Sequence, residues 1–400
     1  MSITTNNEEI IRNYVERILS IDDITTGEQK DGFLLRFRGH LRSENSEEAY
    51  SLLENQIRPF NLTPLFRKEA NQHTILIVEG VPIPRQSNPW INLLLFVLTA
   101  ISVLITGAMY GTDQLFTGGF WQSIKDVIYY GWPFAISMLA ILAAHEFGHY
   151  FMGRHYGIHV TLPYFIPFPL SPFGTLGAFI NMKEIPKNRR QLLDIGLAGP
   201  LAGLVVAVPV LFIGLRLSAL NVLPATPPSG QMLQMEGNSL LYLLIKFLSF
   251  GQLLPAPASY TNTNPILYWI GYFFTARPYP VGGMDVMLHP VAWAGWAGML
   301  VTALNLIPAG QLDGGHTIYV LLGKEKSMKL RVIVLVILIA LGFVWSGWWL
   351  WAAIIYFLGR YYAEPLDQIT ELDGNRKILA AVGLVIFLLV FTPVPLSLIG

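Results

Sequence analysis

Long apolar windows separated by short polar connectors fill most of the chain. No Asp, Glu, Lys or Arg occurs in 86–112, 127–145, 155–182, 195–215, 247–276, 286–312, 332–359 or 378–400. A helix of about 20 apolar residues crosses a hydrocarbon core of about 30 Å, so most of these windows are long enough for membrane spans. The pattern predicts spans over 90–110, 127–151, 194–215 and 289–307, a helical hairpin over 331–358 and a last span over 377–396. Two further apolar stretches, 239–254 and 265–275, are short and bounded by Pro. The front of the chain has a different texture: 33–38 alternates like a strand, 46–57 has helical spacing and 73–78 is β-rich. Residues 1–86 are therefore expected to form a small soluble α+β domain, followed by a stiff linker marked by Pro82, Pro84 and Pro89 and a membrane domain over 87–400.

Composition supports this division. Only 13% of residues are charged and 53% are hydrophobic, against about a quarter charged in soluble domains. Residues 1–89 hold 13 of the 26 acidic and 10 of the 26 basic side chains. With no Cys, a disulfide scaffold and cysteine-zinc chemistry are excluded. A net charge of zero gives no bulk attraction for polyanions, so nucleic acid is not an expected partner and the lipid bilayer is. The expected class is a polytopic α-helical membrane protein with about six to eight spans. Arg154, Lys183, Lys187, Arg189 and Arg190 in one connector, and Lys324, Lys326, Lys329 and Arg331 in another, place both on the cytosolic side. No cleavable leader pattern precedes the front domain, which is expected on that same side.

Scarcity makes each remaining charge informative. His145, Glu146, Phe147, Gly148 and His149 lie inside the second predicted span. Positions i and i+4 share a helix face, so both imidazoles can reach one metal ion with Glu146 beside it as a base. An acid at membrane depth is costly and needs a partner or a function. Two ligands are too few for a catalytic zinc, which takes three from the protein. Two residues compete for the third place. His155 follows His149 by six residues, as in soluble zinc proteases, but Met152 stands where that pattern needs Gly. Asp313 follows a 27-residue uncharged window and precedes Gly314 and Gly315, which let another helix approach; it has the stronger claim.

The combination of this motif with Asn305, Pro308 and the Leu312, Asp313, Gly314 run in a later span, and with Gly199 and Pro200 between them, resembles the site-2 protease family of intramembrane zinc metalloproteases, peptidase family M50. The likeness covers 127–320, which it makes the catalytic core, leaving 331–400 as C-terminal helices. It implies a three-helix core in which His145, His149 and Asp313 bind Zn2+ and Glu146 is the general base. It also implies a transmembrane protein as substrate, cleaved in or near its membrane segment for signalling or turnover. Residues 163–180 are uncharged and Pro-rich, too broken for a spanning helix. The resemblance makes them a membrane-embedded β-type loop whose edge, around Gly174 and Gly177, could pair with unwound substrate. Asn305 could bind the substrate backbone or cap the segment before Pro308. Gly196, Gly199 and Gly203 form a small-residue face suited to helix packing. His316 is expected beside the site or in the cytosol. Gly39, His40, Leu41 and Arg42 loosely resemble a Gly-Asn-Leu-Arg motif of the family's chloroplast and cyanobacterial branch, with His40 replacing Asn. The expected location is the plasma membrane of a prokaryote. A zinc transporter or metal-binding scaffold is the rival reading; it would use the same ligands without needing Glu146.

Overall fold

The computed structural model describes residues 5–27, 29–69, 72–81, 87–112, 115–224, 233–260, 264–360 and 362–399. Helix α1 (Thr5–Ile18) leads into β1 (Leu19–Thr26), β2 (Leu35–Leu41), α2 (Ser46–Ile57), β3 (Leu62–Glu69) and β4 (Gln72–Glu79). The strands form one antiparallel sheet in the order β1-β2-β4-β3. Ile11, Val15, Phe37, Leu53, Phe66 and Ile75 close its core. The expected α+β character holds, with α1, β1 and β3 added to the elements read from the sequence. Gly39 has a packing reason: a Cβ there would fall 1.8 Å from the Ser20 carbonyl oxygen, at the irregular β1–β2 register.

Pro82 and Pro84 of the expected linker lie outside the described residues, whereas Pro89 opens α3 (Pro89–Gly111), with Asn88 accepting from the Trp90 N–H as cap. Next come α4 (Phe120–His155), the hairpin β5 (Tyr164–Pro167) and β6 (Thr175–Phe179), and α5 (Arg189–Leu217). Helices α3, α4 and α5 are each long and apolar enough to cross a membrane. Trp121, Ile128, Trp132 and Ile136 on α4 stay exposed, as expected of a helix whose outer face meets lipid. Phe134, Met138 and Leu142 pack inward against Leu211 and Trp296.

The connector after α5 carries β7 (Ala219–Val222), β8 (Leu233–Glu236), α6 (Leu240–Phe250), α7 (Pro265–Thr275) and β9 (Met284–Met287). The two short apolar stretches are thus helices of 11 residues each. The chain continues through α8 (Pro290–Asn305), α9 (Asp313–Gly342), α10 (Gly347–Leu358), α11 (Gly374–Val390) and β10 (Leu396–Ile399). Strands β7 and β9 pair, as do β8 and β10, tying the chain's last residues to the connector. The helix expected to begin near 331 starts instead at Asp313, because the charged stretch after a break at Gly323 remains helical. A Glu325–Lys329 pair at 2.7 Å spans one turn there.

Backbone hydrogen bonds continue beyond β3. Phe66 donates its N–H to the Leu366 carbonyl and accepts from the Gln368 N–H, while Leu366 and Asp367 donate to the carbonyls of Pro186 and Lys187. Residues 366–368 thus bridge β3 and the lead-in to α5, with Asp367 parallel to Phe66 on one side and to Asn188 on the other. Ion pairs Lys187–Glu54 at 2.6 Å and Arg190–Glu47 at 3.0 Å reinforce the seam.

Candidate metal centre

His145 and His149 occupy one face of α4, and Asp313 is the first residue of α9. Their approach depends on backbone contact. A Cβ on Gly314 would sit 1.9 Å from the Leu306 carbonyl oxygen, so only glycine lets α9 start this close to the end of α8. Helix α5 supplies the back wall. An added Cβ would lie 2.0 Å from His149 Nε2 at Gly199, 3.2 Å from His145 Cβ and Nδ1 at Gly203, and 3.4 Å from His316 Cβ at Gly196. The small-residue face expected to serve helix packing therefore seats three imidazoles.

His145 Nε2 and His149 Nε2 lie 3.3 Å apart, and each lies 3.5 Å from Asp313 Oδ2. Three donor atoms on a tetrahedral zinc, at bonds of about 2.0–2.2 Å, stand about 3.3–3.5 Å from one another. His149 Nδ1 faces the Ile195 carbonyl at 2.7 Å. As a donor to that carbonyl, Nδ1 carries the proton of the neutral ring and leaves the Nε2 lone pair turned to its partners. Lone pairs of two imidazoles and a carboxylate converging this way call for a cation between them, so the donor set fits zinc. His155, the rival third ligand, is exposed at the end of α4 and falls outside the group of donor atoms within 4.8 Å of one another.

The donors open onto a cavity of about 410 Å3 lined also by Glu146, Asn305, Gln311, His316 and Ala363, and by Ala178, Phe179 and Ile180 at the end of β6. Glu146 is buried between the two histidines in sequence and lies beside the Ile180 backbone N–H. Asn305 Nδ2 is 3.2 Å from His145 Nε2. The expected β-type loop is the β5–β6 hairpin, bulged between Phe165 and Pro167. Among the described strands, β6 pairs only with β5, so its other edge carries no strand.

The two glycines singled out there separate. Gly177 lies in β6 with open space where a side chain would be, next to Ala178 of the cavity wall. Gly174 is packed against α3 instead: a Cβ would meet Val103 Cα at 2.7 Å, and its carbonyl accepts from Ser102 Oγ. Nothing local in the sequence marks the anchors behind the hairpin. Asn92 donates to the carbonyls of Leu162 and Pro163 at 2.7 and 3.0 Å, and Tyr110 to that of Pro172 at 2.6 Å. His316 had a usable signal, because it stands three residues after Asp313 on the same helix face.

Comparison with known proteins bears on this geometry. The chain is similar to the probable zinc metalloprotease EGY2, chloroplastic, of Oryza sativa subsp. indica, at 26% identity over 385 residues, 93% of this chain and 63% of the relative. It is 28% identical over 404 residues to the probable zinc metalloprotease EGY1, chloroplastic, of Oryza sativa subsp. japonica, covering 92% of this chain and 64% of the relative. Against EGY1 of Arabidopsis thaliana identity is 30% over 266 residues, 66% of this chain and 43% of the relative. The chain thus spans less than two thirds of the length of these relatives. Their names are of metalloproteases, not transporters, and of plastid proteins, which gives no support to a prokaryotic plasma membrane. No solved structure matches. A family model described as Peptidase family M50 matches residues 133–346, a stretch that holds both histidines, Glu146, the hairpin, the α5 glycines and Asp313, and the chain belongs to that family of membrane-embedded peptidases.

Proposed function

We propose that this chain is an intramembrane zinc metalloendopeptidase that hydrolyses peptide bonds in or near the transmembrane segments of other membrane proteins. The observation carrying the reading is the convergence of His145, His149 and Asp313 at 3.3–3.5 Å, with Glu146 beside them in one cavity. When bound by these three side chains, zinc supplies a Lewis-acid charge that polarises a carbonyl and acidifies water. Glu146 takes the proton of the attacking water and returns it to the leaving nitrogen. The free edge of β6 offers main-chain groups to a substrate segment that has lost its helix. Asn305, facing the same cavity, binds the substrate backbone near the reacting bond.

We further propose the division at residue 86 into soluble and membrane domains, and additional membrane passes by α8, α9, α10 and α11. The Lys- and Arg-rich connectors support a front domain in the cytosol or, by analogy with the chloroplastic relatives, in the stroma that corresponds to it. The test is Glu146→Gln in purified full-length protein. Zinc should remain at one per chain while cleavage of a transmembrane test substrate falls at least about 100-fold. Undiminished cleavage by this variant would sink the mechanism.

A further inference from the structure

His316 is nine-tenths buried, yet it lines the same cavity as Glu146 and the three donors. It is not a fourth ligand, because its nitrogens fall outside the group of mutually close donor atoms. Its place is fixed by α9, on which it stands about one turn from Asp313, and by Gly196 of α5 behind it, in the same row as the glycines that back His149 and His145. Its Nδ1 is enclosed and meets no hydrogen-bond partner. An enclosed N–H without an acceptor is the costlier arrangement and is rarely seen, whereas a bare acceptor is better tolerated. The neutral ring therefore keeps its proton on Nε2.

We propose that His316 is a catalytic residue whose Nε2–H donates a hydrogen bond to the scissile carbonyl oxygen as that oxygen gains negative charge. No proton is transferred: the N–H stays intact, and the contact strengthens as the carbonyl carbon is attacked. A preorganised donor of this kind needs no rearrangement at the moment of reaction, and losing one typically costs about 10²–10³ in kcat. The proposal rests on the protease reading above and adds a second polarising group that the zinc ligands do not provide.

The test uses full-length protein in detergent, a single-span test peptide as substrate, and a peptide phosphinate with apolar flanks as a transition-state analogue. The amide nitrogen of Gln can reach the place of Nε2, whereas that of Asn reaches only the place of Nδ1. His316→Ala and His316→Asn should lose about 100-fold or more in kcat with KM little changed. Both should keep one zinc per chain and bind the phosphinate correspondingly more weakly by calorimetry. His316→Gln should recover both activity and phosphinate affinity to within about tenfold of wild type. Zinc loss in the Ala variant, near-normal cleavage by it, or a Gln variant no better than Asn in both readouts overturns the proposal. If wild type itself cleaves no test peptide, the protease reading fails separately, and phosphinate affinity decides on His316: a drop in Ala and Asn that Gln restores supports it, and equal affinities overturn it.

Discussion

Gly199→Ala sets two effects against each other. In a helix interior, alanine should stabilise by about 1 kcal/mol relative to glycine. The added methyl, however, would fall 2.0 Å from His149 Nε2, 2.3 Å from Cδ2 and 2.5 Å from Cε1. Ordinary carbon contacts begin at about 3.5 Å, so the ring or the helix must give way by about 1.5 Å. His149 has little freedom to do so, since its Nδ1 is held 2.7 Å from the Ile195 carbonyl. Ligand–metal distances in well-formed sites fall within about 0.2 Å of their standard values. Disturbing only the partners around a ligand costs 10–100-fold in metal affinity, and displacing the ligand itself should cost at least about 100-fold. Chelator competition on detergent-solubilised protein measures this directly, with Gly203→Ala as the comparison. There the methyl meets His145 at 3.2 Å, a contact relieved by a few tenths of an ångström, so zinc affinity should stay within about tenfold of wild type. A Gly199→Ala protein that binds zinc within about threefold of wild type would refute the argument that α5 seats His149.

Asp313→Ala should lose tight zinc binding while His155→Ala keeps it, as read by metal content after dialysis; the reverse pattern would overturn the ligand assignment. Burial pushes the Asp367 carboxyl above its ordinary range, although the Thr370 hydroxyl and the N–H groups of Ile369 and Thr370 donate to it. A raised folded-state value means that its favourable contribution is complete below the ordinary carboxylate range and is lost as pH rises through the raised value. Melting temperatures of wild type should therefore gain on those of Asp367→Asn as the solution is acidified through that window, and a difference that is flat or of opposite slope would contradict the assignment.

The parts of this protein legible in the sequence are those written in local spacing or in the cost of burying charge. His145 and His149 announce one helix face, and Asp313 stands out because an uncharged window precedes it. The positions of α3, α4 and α5 follow from apolar length alone. What escaped depends on residues far apart in the chain. Nothing local in Phe66 or Asp367 tells that they share a strand pairing, and Asn92 looks like a polar intrusion in α3 until the Leu162 and Pro163 carbonyls are seen against it. The glycines of α5 were visible as a stripe, but a stripe of small residues does not say whether a helix or a row of imidazoles will fill it. The extension of α9 through Lys324 to Arg331 is not legible in the sequence because charge ends an apolar window without ending a helix.

The bridge made by residues 366–368 also has a mechanical meaning. It is stitched on one side to the front sheet and on the other to the lead-in of α5, the helix that holds the histidines from behind, while Ala363 just upstream belongs to the cavity wall. Backbone pairing permits no gradual sliding, since a slip of one residue exchanges the faces of every side chain. A shift between the front sheet and the rim of the metal cavity therefore comes in steps of a whole residue rather than by gradual sliding.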